Sequence, residues 1–180
     1  MMETFQPPYR IRYNNAITVR YSPYTSEWRI SNKSATGYGD IKQKYGFDPS
    51  KPLVIHVGHC SKGRGLEDFA KIHTAQRMVV ASGMFEDENV VRVLNDAKVK
   101  IHKGYLENVE EVYQMADAYL FPTRSAEFVI SIPLSVMEAL SCGVPVIGYK
   151  SFENLNEITG SEGAITLVDN AEQLDKVLPE

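Results

Sequence analysis

From Leu53 onward the sequence alternates short apolar runs with longer stretches patterned at helical spacing, and this alternation restricts the fold more than any other feature. The apolar runs are Leu53 to Gly58, Arg77 to Ser82, Val99 to His102, Ala118 to Phe121, Val144 to Gly148 and Ala164 to Val168. Between and after them, Gly65 to Thr74, Asp87 to Ala97, Val109 to Ala116, Pro133 to Ser141 and Ala171 to Leu178 read as helices. Runs rich in Val and Ile without polar alternation suit strands covered on both faces, and strands joined by helices across short loops pair in parallel. The expected fold class is therefore α/β, a doubly wound, Rossmann-like parallel sheet with ligands at the carboxyl ends of its strands.

Residues 1 to 52 are less regular and hold six of the ten tyrosines. Only Ile17 to Tyr21 reads there as a strand, Asp40 to Tyr45 as a short helix, and Phe47 to Pro52 as a turn rich in chain breakers. The expected organisation is a linker-like segment over 1–52 and one Rossmann-like domain over 53–180. At 180 residues the chain is long enough for a substantial core without staples. Its hydrophobic fraction of 43% and charged fraction of 23% are those of an ordinary soluble protein, and a net charge of −4 speaks against nucleic acid as a partner. Cys60 and Cys142 form no disulfide framework or metal motif, and His73 and His102 lack ligand partners at metal-binding spacing, so no metal is expected. With neither a bilayer-length apolar stretch nor a signal-like start, the expected location is cytoplasmic.

Two stretches carry chemistry. Gly58-His59-Cys60-Ser61-Lys62-Gly63-Arg64-Gly65 lies where a strand turns into a helix. Its glycines let the backbone approach an anion, and Lys62 and Arg64 add positive charge beside a helix N-terminus. It matches neither the Walker loop nor the G-x-G-x-x-G fingerprint, and alone it reads equally well as a solvated basic turn. The second stretch runs from Glu127 to Gly148. Pro133 suits the first turn of a helix that Leu134, Met137 and Leu140 extend, and Cys142-Gly143 ends it before the next buried strand, with Pro145 at that strand's start. Leu134 and Met137 read most simply as core. Two carboxylates, Glu127 before the helix and Glu138 within it, flank an N-terminus suited to a ligand with phosphates and hydroxyls.

The segment Glu138-Ala139-Leu140-Ser141-Cys142-Gly143-Val144-Pro145-Val146-Ile147 resembles the donor-binding domain of retaining glycosyltransferases of family four, whose architecture pairs two Rossmann domains. That family carries E-x7-E before this wording; here ten residues separate Glu127 from Glu138, so a gapless alignment would put Ile130 at the first acidic position. The family's G-R-x-x-x-x-K-G-L falls on the other stretch, with His59 at its Arg position and Arg64 at its Lys position.

The resemblance implies transfer of a sugar, with retention, from a nucleotide diphosphate sugar to a hydroxyl acceptor, with no covalent cofactor and no metal. Gly58, His59, Lys62 and Arg64 would meet the diphosphate, Tyr105 and its turn the nucleoside, and Glu138 the ribose hydroxyls, with Leu134 opening the same helix. Glu127 would be the catalytic carboxylate, facing the donor sugar. Asp117 would have a structural role at a helix end, and His56 reads as a hydrogen-bonded core or sheet-end residue. An N-terminal acceptor-binding domain, which would also be the route to any peripheral membrane association, is expected from another segment or chain. A non-catalytic nucleotide-sugar-binding module and one half of a nucleotide-sugar epimerase remain open at this point.

Overall fold

The computed structural model describes residues 18–21, 28–31, 38–129, 133–158 and 163–178. The chain opens with an antiparallel hairpin of β1 (Thr18–Tyr21) and β2 (Trp28–Ser31), in which Thr18 pairs with Ser31 and Tyr21 with Trp28. The expected strand over 17–21 corresponds to β1. Its partner β2 has no clear sequence signal, because four residues of alternation are too few to stand out. The position of Ile130 lies outside the described residues.

Helix α1 (Tyr38–Lys44) leads into the main sheet, formed by β3 (Leu53–Gly58), β4 (Gln76–Ala81), β5 (Lys100–Lys103), β6 (Ala118–Phe121), β7 (Val146–Tyr149) and β8 (Ile165–Val168). All neighbours are parallel and the order is β5-β4-β3-β6-β7-β8. Counted from β3, this is the 3-2-1-4-5-6 order of a doubly wound sheet, whose direction of winding reverses between β3 and β6. Helices α2 (Glu88–Asp96), α3 (Val109–Met115), α4 (Leu134–Ser141) and α5 (Leu174–Val177) complete the two layers.

The central strands are short and apolar because they serve two cores. Leu53 and Ile55 face a cluster with α3 and α4 that includes Tyr113, Tyr119, Val136 and Leu140. Val54 faces the opposite cluster, with Phe69, Val90, Leu94 and Leu174. Each such fully buried side chain contributes roughly 1.5–3 kcal/mol relative to exposure.

Local chemistry sets the element ends. The Asp87 carboxylate caps α2 by accepting from the N–H groups of Asn89 and Val90. At the other end of α4, Val144 N–H donates to Ala139 O and Gly143 N–H to Leu140 O, with Gly143 at φ 70°. This Schellman closure confirms the expected stop at Cys142-Gly143. It also delays the following strand. Val144 belongs to the helix cap and Pro145 has no N–H, so β7 begins at Val146 and runs through Gly148, where a Cβ would lie 2.3 Å from Leu155 Cδ1.

Two expected helices differ from the reading. Over Gly65 to Thr74 the chain forms only a 3-10 segment, Leu66–Lys71; Ile72 is extended, and the N–H groups of His73 and Thr74 donate to the Asp175 carboxylate instead of continuing a helix. Ala171 to Leu178 divides into a 3-10 turn, Ala171–Gln173, and the single turn of α5. Further 3-10 turns at Ala126–Phe128 and Glu153–Glu157 were not anticipated. Within α4 the core stripe is Val136, Ala139 and Leu140, while Leu134 is 51% exposed and Met137 only partly buried, which corrects their reading as core. No helix among the described residues is long and apolar enough to cross a membrane.

Candidate functional site

Strands β3 and β6 pair only through Val54 with Ala118 and Ile55 with Tyr119. Beyond that point the buried His56 ring takes over, its Nδ1 lying 3.0 Å from Leu120 O where a ladder N–H would otherwise donate. This is the point where the winding reverses, and there a doubly wound sheet opens a crevice at its carboxyl edge. His56 is thus the sheet-end residue expected, stacked on Tyr119, while its Nε2 is buried without a partner among the described residues. Burial pulls its pKa down to about 4; the cations of Arg64 and His59 add to that, and the bond to Leu120 O opposes it.

The loop after β3 lines one wall. Gly63 and Gly65 have φ of 86° and 75°, a conformation costly for residues with a Cβ. Side chains would not fit in any case, since a Cβ at Gly63 would lie 2.5 Å from the Phe128 ring and one at Gly65 2.4 Å from Pro122 O. Between them stands Arg64, partly buried, whose carbonyl accepts from Thr123 Oγ1 at 3.3 Å. Burial lowers its pKa from the ordinary arginine value, and its guanidinium has no hydrogen-bonded or ion-paired partner among the described residues. Lys62 is exposed and likewise unpaired among them. His59 is tied sideways, with Nδ1 2.6 Å from Ser82 Oγ and 3.2 Å from Met84 O, which leaves Nε2 for a ligand.

Beside this loop lies a cavity of about 310 Å³ lined by Val57, Gly58, Val80, Ser82, Gly104, Tyr105, Leu106, Val109 and Glu138. It brings together Gly58, Tyr105 and Glu138, which stand far apart in sequence. The walls are largely apolar, and Glu138 supplies a carboxylate. Its Oε2 accepts from the Tyr113 hydroxyl at 2.7 Å, which fixes the side chain and leaves the other oxygen without a partner among the described residues. Burial raises the Glu138 pKa, and the Tyr113 hydrogen bond partly offsets this. Tyr119 donates to Ser135 Oγ in the first turn of α4 at 2.8 Å, holding that helix against the sheet.

Of the other residues singled out from sequence, His59, Lys62 and Arg64 stand in the adjoining loop rather than in the cavity lining, and Glu127 and Leu134 lie apart from it. Glu127 sits in the 3-10 turn beside Phe128, the ring that covers Gly63; its carboxylate is exposed and has no partner among the described residues. Leu134 projects half-exposed from the first residue of α4. Asp117 accepts from Lys42 Nζ at 2.6 Å and from Leu53 N–H at 2.8 Å, tying α1 to the start of β3, a structural role as expected. Leu106 belongs to the turn singled out with Tyr105, whereas sequence reasoning did not find Ser82, Val109 or Tyr113. Ser82 follows a strand end and was open to that topological argument, whereas Tyr113 has no local signal because its role depends on α3 packing against α4.

The family described as glycosyl transferases, group 1, matches residues 52–178. An N-acetyl-alpha-D-glucosaminyl L-malate synthase from Bacillus anthracis is 29% identical over 118 residues, 60% of this chain and 30% of that protein. A sulfoquinovosyl transferase from Arabidopsis thaliana is 27% identical over 110 residues, 58% of this chain and 20% of that protein. The chain thus spans less than a third of either relative. Among solved structures, a sucrose-phosphate synthase from Thermosynechococcus elongatus superposes with a TM-score of 0.57 at 18% identity, over 77% of this chain and 38% of that one, a likeness of fold.

Proposed function

This chain belongs to the group 1 glycosyl transferases, and on that premise we propose that it binds the nucleotide diphosphate sugar from which a sugar is transferred, with retention, to a hydroxyl acceptor. The observation that carries the reading is Arg64. A partly buried cation with no carboxylate partner among the described residues, in a glycine-flanked loop at the crevice, is costly unless an anion completes it. In this reading Arg64, with Lys62 and His59 Nε2, receives the diphosphate. Gly58 and Tyr105 enclose the nucleoside, Glu138 accepts from the ribose hydroxyls, and Glu127 faces the sugar across the loop. Both curated relatives are named for glycosyl groups, which supports a sugar as the transferred group.

The chemistry requires stabilisation of charge on the departing diphosphate, and fixed cations and helix N–H groups near Arg64 and Leu134 suit that task. The chain's own cations meet the charge in this reading, without a metal ion. The acceptor hydroxyl is brought by a second domain or chain, and that positioning can be worth roughly 7–11 kcal/mol of barrier. Membership of a transferase family favours this reading over the epimerase alternative.

Calorimetric titration of the chain with UDP, GDP and ADP tests it. At least one should bind, and Glu138→Ala should weaken that ligand about tenfold or more, as expected for a lost charge-assisted bond. Glu127→Ala should spare the nucleoside diphosphate and weaken only the matching nucleotide sugar. Absence of heat with all three nucleotides at millimolar concentration would overturn the donor reading.

A further inference from the structure

Away from Glu138, on the far side of the loop after β3, lies a second polar cluster. Asp68, only 7% exposed, accepts on one carboxylate oxygen from Arg124 Nη2 at 2.6 Å and from the Tyr149 hydroxyl at 2.7 Å. The Arg124 guanidinium lies over the Tyr149 ring, 3.9 Å from its centroid. The three residues follow or end three different strands: Asp68 comes after β3, Arg124 after β6, and Tyr149 closes β7.

The cluster connects directly to the loop that holds Arg64. Asp68 N–H donates to Gly65 O at 3.1 Å. Each of the three central loop residues is backed by the segment that carries Arg124: Gly63 by Phe128, the Arg64 carbonyl by Thr123, and Gly65 by Pro122 and by Arg124 Nη1, 2.9 Å from where its Cβ would be. The loop is therefore mounted on the β6 side of the crevice, and the mount is locked by one buried carboxylate.

We infer that Asp68, Arg124 and Tyr149 form a clasp that positions the Gly63-Arg64-Gly65 loop for a diphosphate, with Arg124 held by Asp68 so that Arg64 is the cation presented to the ligand. Stability alone does not call for this pairing, since the Arg124 side chain is 42% exposed and an ion pair open to solvent on one side contributes little. The planar Arg124 guanidinium donates through Nη2 to Asp68 and, at 3.5 Å, through Nη1 to Pro122 O, and two bonds from one rigid group fix direction as well as distance, which an apolar contact does not. The inference rests on the donor reading above. In it the clasp acts through Arg64 and touches no ligand itself.

The test compares a phosphate-bearing ligand with its phosphate-free counterpart. The 180-residue chain and its Tyr149→Phe and Asp68→Asn variants are titrated, below their melting temperatures and followed by NMR, with whichever of UDP, GDP and ADP binds the unaltered chain best, and with the corresponding nucleoside. Tyr149→Phe, which removes one hydroxyl and keeps the ring under Arg124, should weaken the diphosphate roughly fivefold, and Asp68→Asn roughly tenfold or more. The nucleoside should bind all three proteins alike. A lower melting temperature with an unchanged ratio of the two affinities would reduce the cluster to scaffolding and overturn the inference. Tighter diphosphate binding by Asp68→Asn would overturn it as well, since it would mean that Arg124, once released, is itself a phosphate ligand. If Asp68→Asn does not fold, Tyr149→Phe decides alone. Failure of the unaltered chain to bind any of the three nucleotides is a separate result, seen before any substitution, and it removes the donor reading together with the clasp.

Discussion

At the amino end of the sheet Lys42, Arg77 and Lys100 all reach protein oxygens, whereas at the carboxyl end Arg64 and Lys62 reach none among the described residues. Lys42 donates to Asp117 and to Lys51 O, Arg77 to Phe69 O and Ala97 O, and Lys100 to Tyr45 O. Several of these acceptors are carbonyls at or near helix ends, where cations also complement the helix dipole. The amino end even has the larger depression, about 440 Å³ lined in part by Lys51, Arg77, Lys98 and Lys100, against about 310 Å³ beside Glu138. Neither size nor charge therefore marks the site. What distinguishes the carboxyl end is that the Arg64 guanidinium, one Glu138 oxygen and the buried His56 Nε2 have no partner among the described residues.

The comparison breaks most readily at Asp117. Asp117→Ala strands the buried Lys42 ammonium and should lower unfolding stability in urea by an amount near the lower end of about 3–5 kcal/mol, because the lost carboxylate is itself 38% exposed. Nucleoside diphosphate binding should not change. A loss below about 1 kcal/mol, the scale of an exposed pair, would mean that the amino-end cations are not committed to stability.

Next in size is the acid response of His56. Its folded pKa of about 4 lies below the value of about 6.5 expected when unfolded, so the unfolded chain takes up the proton first. This contribution to stability is complete above about pH 6.5 and is lost as pH falls toward 4, amounting to about 3 kcal/mol. Urea unfolding across that range should show the decline, and His56→Phe, which keeps a ring against Tyr119, should flatten it. An equal slope in the variant would place the acid sensitivity elsewhere.

Arg64→Gln sharpens the contrast from the ligand side. Nucleoside diphosphate affinity should fall about 10- to 100-fold, the equivalent of one charge-assisted bond. Stability should hold or rise slightly, because a partly desolvated cation with no partner among the described residues has been removed. Reduced stability with unaltered affinity would assign Arg64 to the scaffold. The smallest effect is expected at the amino end. Lys98 occupies the left-handed position of the Schellman closure of α2, at φ 58°, with Lys98 N–H on Asn95 O and Val99 N–H on Leu94 O. Lys98→Gly should raise the melting temperature, by about 1 kcal/mol in stability, and leave nucleotide affinity unchanged. Weaker binding in this variant would show that the basic depression takes part in ligand capture after all.

Much of the fold was legible because its determinants are local. Leu53 to Gly58 and Ala118 to Phe121 coincide with β3 and β6, Asp87 caps α2, and Gly143 ends α4. Element ends differ from the sequence pattern where a distant group or a neighbouring helix cap takes the backbone N–H groups. Asp175 takes the N–H groups that would have continued a helix past Lys71, and the cap of α4 claims Val144 from the next strand. Of the candidate site, the glycine loop with Arg64 and the Glu138 helix were visible as motifs. Their shared cavity with Ser82, Leu106 and Val109 was not.

The sequence by itself determined the alternation of buried strands and helices, and with it the parallel doubly wound sheet and the edge at which a ligand would bind. Apolar periodicity, caps and glycine turns depend on neighbours a few residues away, so they can be read along the chain. Which polar groups are left without a partner was decided only by the tertiary structure. Lys42 is neutralised by Asp117 and Arg124 by Asp68, pairs separated by 75 and 56 residues, while Arg64 meets no carboxylate among the described residues. Ion pairing and desolvation depend on distance in space, and the folded backbone alone sets that distance.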